Sequence, residues 1–75
     1  MKIKQGYCDK EVWYKVYWDE VCVLYIKSVK NAFWHLVVGN TEGIAKLYER
    51  FPIKMRLEDV ICIGMEIYKY SVDLD

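Results

Sequence analysis

The chain has 75 residues, is 55% hydrophobic and 16% aromatic, and sets eleven basic residues against eleven acidic ones. A chain this short makes a single domain spanning 1–75, because domains of ~60 residues already bury only ~60% of their unfolded surface and cannot be divided further. Its apolar content excludes a disordered tail. Its zero net charge removes the broad field of a sequence-independent nucleic-acid binder, and equally that of an acidic DNA mimic.

Residues 1–10 are the least patterned, with Gly6 and Asp9 as breakers, and Ile3 to Tyr7 reads as a short strand or a loose arm. The basic start Met1-Lys2-Ile3-Lys4-Gln5 has no apolar stretch of the signal-peptide kind, and no part of the chain approaches ~18 uncharged apolar residues. The expectation is an intracellular protein of the cytoplasm, the host's cytoplasm for a viral chain, with no membrane partner.

Val12 to Val38 reads as three consecutive strands, rich in β-branched and aromatic residues, with turns at Asp19-Glu20 and Lys30-Asn31. Side chains alternate across a strand, so two-residue turns sort them into two faces. Face one holds Val12, Tyr14, Val16, Trp18, Val21, Val23, Tyr25, Lys27, Ala32, Trp34, Leu36 and Val38, with Lys27 its only charged member. Face two holds Trp13, Lys15, Tyr17, Asp19, Cys22, Leu24, Ile26, Ser28, Phe33, His35 and Val37, still seven apolar positions out of eleven. A sheet solvated on one side should be polar there, and this one is not. Asp-Glu is a poor two-residue turn beside Asn-Gly or Asp-Gly, and a longer or bulged loop would exchange the two faces beyond it.

After Gly39-Asn40, Thr41 reads as the N-cap of a helix over about 41–51, with Ile44, Leu47, Tyr48 and Phe51 forming one apolar stripe that needs a sheet face, here face one around Val16, Val23 and Leu36. Glu42 and Arg50 suit the two ends of its dipole, and Pro52 stops it. Ile53 to Val72 then alternates around Val60-Ile61-Cys62-Ile63, which favours one or two C-terminal strands with Gly64 as a bulge. A helix over 57–68 is the competitor, with Leu57, Ile61, Met65 and Tyr68 suitably spaced; Gly64 costs it about 1 kcal/mol. The fold class is therefore α+β: a small antiparallel sheet built on a three-strand meander, with one helix.

The search for chemistry is mostly negative. His35 is the one histidine, set in an aromatic strand with no evident orienting partner or cleft, so it reads as an interface residue rather than a general base. Cys8, Cys22 and Cys62 are odd in number and far apart, which argues against a disulfide framework and leaves reduced thiols. Three cysteines and one histidine have the arithmetic of a zinc set but not its paired spacing, and Gly39-Asn40-Thr41-Glu42-Gly43 lacks the ending of a phosphate-binding loop. No catalytic residue, metal or cofactor is expected.

The aromatic residues carry the functional expectation. Three tryptophans and seven tyrosines exceed what a small core hides, and Trp13, Lys15, Tyr17, Leu24, Ile26, Phe33 and His35 form the expected protein-binding surface on face two. The expected function is a small non-enzymatic interaction module that forms a homodimer and occupies a partner protein's surface. Compact inhibitors carried by viruses and mobile elements act on host systems in that way, a similarity of type and not of sequence. The alternative is a small nucleic-acid-binding regulator using the same aromatics; it lacks a basic funnel, since face two supplies only Lys15, offset by Asp19.

Overall fold

A computed structural model of the protein describes residues 1–39 and 47–73. It is α+β: strands β1 (Lys2–Cys8), β2 (Glu11–Trp18), β3 (Val21–Val29), β4 (Phe33–Val38) and β5 (Leu47–Pro52) are followed by helix α1 (Leu57–Asp73). The strands pair in sequence order, each antiparallel to the next. The meander is closed by turns in which Asp9-Lys10, Asp19-Glu20 and Lys30-Asn31 all have positive φ, between 49° and 68°. That is the mirror-type turn whose twist matches a hairpin, adopted here without glycine.

Two irregularities decide which side chains share a face. Val16 pairs with Leu24 but Tyr17 pairs with Cys22, so Val23 is an extra residue in β3, a bulge that reverses the alternation from Leu24 onward. The next connection spans three residues, since Val29 pairs with Phe33, and this reverses it again. The two-residue turns expected from sequence therefore assign β2 and β4 correctly and invert β3 beyond the bulge. Leu24 and Ile26 are 1% and 0% exposed, packed in the core rather than displayed on face two. Tyr25 and Lys27 take their place outside.

The core consists of Val16, Val23, Leu24, Ile26, Trp34, Leu36 and Val38 from the sheet, with Val60 and Ile61 from the helix. Tyr14 meets Trp34 edge to face at 6.2 Å between ring centroids, and the Trp34 indole N–H donates to the Met55 carbonyl at 2.9 Å. Ser28, also buried, accepts from the Val12 N–H at 3.1 Å and donates to its carbonyl at 3.4 Å, which extends the β2–β3 ladder through a side chain.

The helix expected over 41–51 is corrected where it is described: Leu47, Tyr48 and Phe51 belong to β5, and Thr41, Glu42 and Ile44 lie outside the described residues. The same residues fit both periods, and pairing wins because β4 is buried and its outer edge needs hydrogen-bond partners. Pro52 is tolerated because β5 is an edge strand.

The C-terminal strands are likewise corrected to a helix. Leu57, Val60, Ile61, Gly64, Met65 and Tyr68 make one stripe laid over β3 and β4, and Glu58 and Asp59 sit in the first turn, where the dipole favours them. Gly64 works for this helix rather than against it. A Cβ there would stand 3.0 Å from both δ-methyls of Leu24 and 3.3 Å from one of Leu36, so its absence lets the helix close onto the sheet. Burying Val60 and Ile61 is worth ~1.5–3 kcal/mol each, more than the ~1 kcal/mol glycine costs.

Candidate functional site

Among the described residues, one side of the sheet is covered by α1 and the other is open. The open face is built from alternate residues of all five strands, and pairing lines them up in rows across the sheet. One row runs Gly6, Trp13, Lys27, His35, Arg50; the next runs Lys4, Lys15, Tyr25, Val37, Tyr48. Neighbouring strands lie ~4.8 Å apart and the rows ~6.8 Å apart, so each ring has cations as immediate neighbours. Lys2 and Tyr17 flank these rows at one end, Glu11 and Phe33 at the other.

Contacts between these side chains are specific. The Lys15 ammonium stands 5.1 Å from the centroid of the Trp13 ring, Lys4 stands 5.2 Å from that of Tyr17, and the Arg50 guanidinium stands 5.0 Å from that of Phe33. Each pair is worth ~0.5–1 kcal/mol where solvent reaches it. His35 and Tyr48 lie 5.9 Å apart, tilted by 31°. The Trp13 indole lies over Gly6, where any Cβ would overlap it; glycine on the edge strand is thus the seat of the largest ring on the face.

Glu11 is the one acidic group within the strands of this face among the described residues, with Asp19 and Glu20 beside Lys2 and Lys4 at one corner, and Glu11 is engaged. Its carboxylate bridges the Lys27 ammonium at 3.0 Å and accepts from the Lys30 backbone N–H at 3.0 Å. These hydrogen bonds hold the Glu11 carboxyl below its ordinary value, and Glu11 in turn raises Lys27. Among the described residues the face thus displays Lys2, Lys4, Lys15, Lys27 and Arg50 against Glu11 and, at one corner, Asp19 and Glu20, out of eleven basic and eleven acidic residues in the chain.

Of the expected site residues, Trp13, Lys15, Tyr17, Phe33 and His35 are brought together here; Leu24 and Ile26 are not. Tyr25, Lys27, Tyr48, Arg50, Lys2 and Lys4 were not anticipated. Lys27 was the available signal, a lone charge on an otherwise apolar face. For β5, alternation of Tyr48 and Arg50 against Leu47, Glu49 and Phe51 was in the sequence beneath a helical reading.

Among the described residues nothing assembles a nucleophile and a base. His35 pairs with Lys27 and Arg50, whereas Cys22 pairs with Tyr17 and its thiol is pushed up, chiefly by burial. Cys8 and Cys62 are exposed. Among the described residues no three His, Cys, Asp or Glu side chains are grouped to hold a metal. A shallow depression of about 390 Å³ at one corner is lined by Met1, Lys2, Lys4, Tyr17, Asp19 and Glu20, mixing both charges with no buried polar group aimed into it. No described helix is long and apolar enough to cross a membrane. No family model, curated protein or solved structure matches the chain.

Proposed function

We propose that this protein is a non-enzymatic interaction module that acts by occupying a macromolecular partner through the open face of its sheet. The observation that carries this is the five-strand face left uncovered by α1, on which tryptophan, tyrosine and phenylalanine rings stand beside lysine and arginine. Aromatic and arginine side chains supply most anchors in known interfaces, and a face kept only for solvation would not carry them.

The charge of the face directs the choice of partner. A two-fold dimer closed through it would set its cations against their own copies, so the surface suits a foreign, anionic partner better than self-association. Two kinds of partner fit. One is an acidic protein surface, engaged as compact inhibitors from viruses and mobile elements engage host systems. The other is a nucleic acid, favoured by the basic groups that β1, β3 and β5 add among the rings.

Trp13→Ala and Phe33→Ala should each weaken partner binding by about 2 kcal/mol or more, roughly thirtyfold, while the circular dichroism spectrum is kept. Cys22→Ser should leave activity intact, and His35→Ala should weaken binding without abolishing it. Turnover of a substrate that vanishes with His35→Ala would overturn the non-enzymatic reading.

A further inference from the structure

We infer that the occupant of the open face is a single-stranded nucleic acid; this rests on the open-face reading above and names its partner. Protein interfaces keep aromatics at a centre depleted of charge, with lysine the most disfavoured cation there. Here lysines are interleaved with the rings on the central strands: Lys15 beside Trp13, and Lys27 between Trp13 and His35 in one row. That alternation leaves only Tyr25, Val37 and Tyr48 as an unbroken apolar strip, small beside the charge-depleted centre of a protein interface. It matches a ligand that itself carries one planar base for every anionic phosphate.

The chemistry of each side-chain pair fits such a ligand. A base stacks on a ring while the cation beside that ring turns to the adjoining phosphate, so ring and cation serve one nucleotide together. Trp13 with Lys15, Tyr17 with Lys4 and Phe33 with Arg50 are three units of this kind. A duplex is a poorer fit. Its bases are already stacked inside, and α1, the one described helix available to enter a groove, packs on the opposite side of the sheet. Lys27 is held by Glu11, and among the described residues Lys2, Lys4, Lys15 and Arg50 make no ion pair and stand available for phosphates.

The test is fluorescence anisotropy of labelled oligothymidylate and oligouridylate of about 15 nucleotides, near the upper size for one small binding domain, against a duplex of the same length. The full chain should bind both single strands, and the duplex at least tenfold more weakly. Log affinity should fall with log salt with a slope of roughly −3, as expected for four phosphates on a single strand. Trp13→Ala and Phe33→Ala should each lose roughly thirtyfold in affinity, and Lys15→Gln should flatten the slope by about 0.7. Absence of binding at ~10⁻⁴ M protein, where even non-specific binders respond, overturns the inference. So does equal affinity for duplex and single strand that is insensitive to Trp13→Ala.

Capture from a cell lysate, with and without nuclease, separates a nucleic-acid partner from open-face binding as such. A partner that survives nuclease and is lost with Trp13→Ala overturns the nucleic acid and keeps the open face. Capture unaffected by open-face substitutions overturns both.

Discussion

Gly64 offers a graded test of how α1 meets the sheet. Gly64→Ala adds a methyl that would stand 3.0 Å from the δ-methyls of Leu24 and 3.3 Å from one of Leu36, where ordinary carbon contacts are ~3.5–4.0 Å. Leu24 is 1% exposed and Leu36 0%, so neither has open space to retreat into and the helix must lift by about half an ångström. Against that strain stand ~1 kcal/mol of helix propensity and ~0.8 kcal/mol for burying a methyl, so Gly64→Ala should fall within about 1 kcal/mol of the parent. Gly64→Val forces two further carbons into the same contact, for about 2–3 kcal/mol of destabilisation. Urea unfolding followed by tryptophan fluorescence reads the difference. With a slope of about 1 kcal/mol per molar for a domain of this size, the valine variant should lose about 2–3 M in its midpoint. Equal midpoints for the two variants would mean that Gly64 does not touch Leu24 and Leu36, and the helix placement would fall.

Two further outcomes are expected. Asp19 and Glu20 hold φ of 49° and 66°, a conformation that costs L-residues ~1–2 kcal/mol each, so joint replacement Asp19→Asn with Glu20→Gly should stabilise by about 1 kcal/mol. Calorimetry should then show Tm raised by roughly 4–8 °C, and an unchanged Tm would refute the turn assignment. Glu11 has its pKa depressed below 4.5, so its stabilising contribution is present above that value and is lost as pH falls through the lower folded one. Glu11→Gln should accordingly lower the urea midpoint at neutral pH, with the gap to the parent closing in acid; a gap independent of pH would show that the bridge to Lys27 contributes nothing.

The α+β class, the three-strand meander and the placement of Trp13, Tyr17 and Phe33 on one face were legible because period-two alternation is strong between Val12 and Val38. What was not legible was the offset between strands. Sorting by parity assumes that every connection adds an even step, and Val23 and the Lys30-Asn31-Ala32 loop each add one residue. The two offsets cancel at β4, so Phe33 and His35 were placed correctly while Leu24 and Ile26 were not. Segments 47–52 and 57–73 were misread for a different reason: their patterns satisfy both periods, and the choice is made by partners distant in sequence. Leu47 to Pro52 is drawn to the free edge of β4, and Gly64 is favourable only once Leu24 and Leu36 lie beneath it.

The basic character of the open face has a consequence that net charge conceals. Because basic and acidic residues cancel over the whole chain, a distant polyanion experiences no pull, and beyond the Debye length of about 8 Å at physiological salt the protein is electrically silent. Closer in, Lys4, Lys15 and Arg50 attract an anion to the open face, while the exposed Glu58, Asp59 and Glu66 of α1 outnumber Lys69 and repel it from the helix, so local charge orients the approach rather than drawing it from afar. Encounters are then no more frequent than for a neutral particle, but a larger share of them begins with the correct side presented. Added salt should therefore slow productive association by scrambling orientation, without changing how often the two molecules meet.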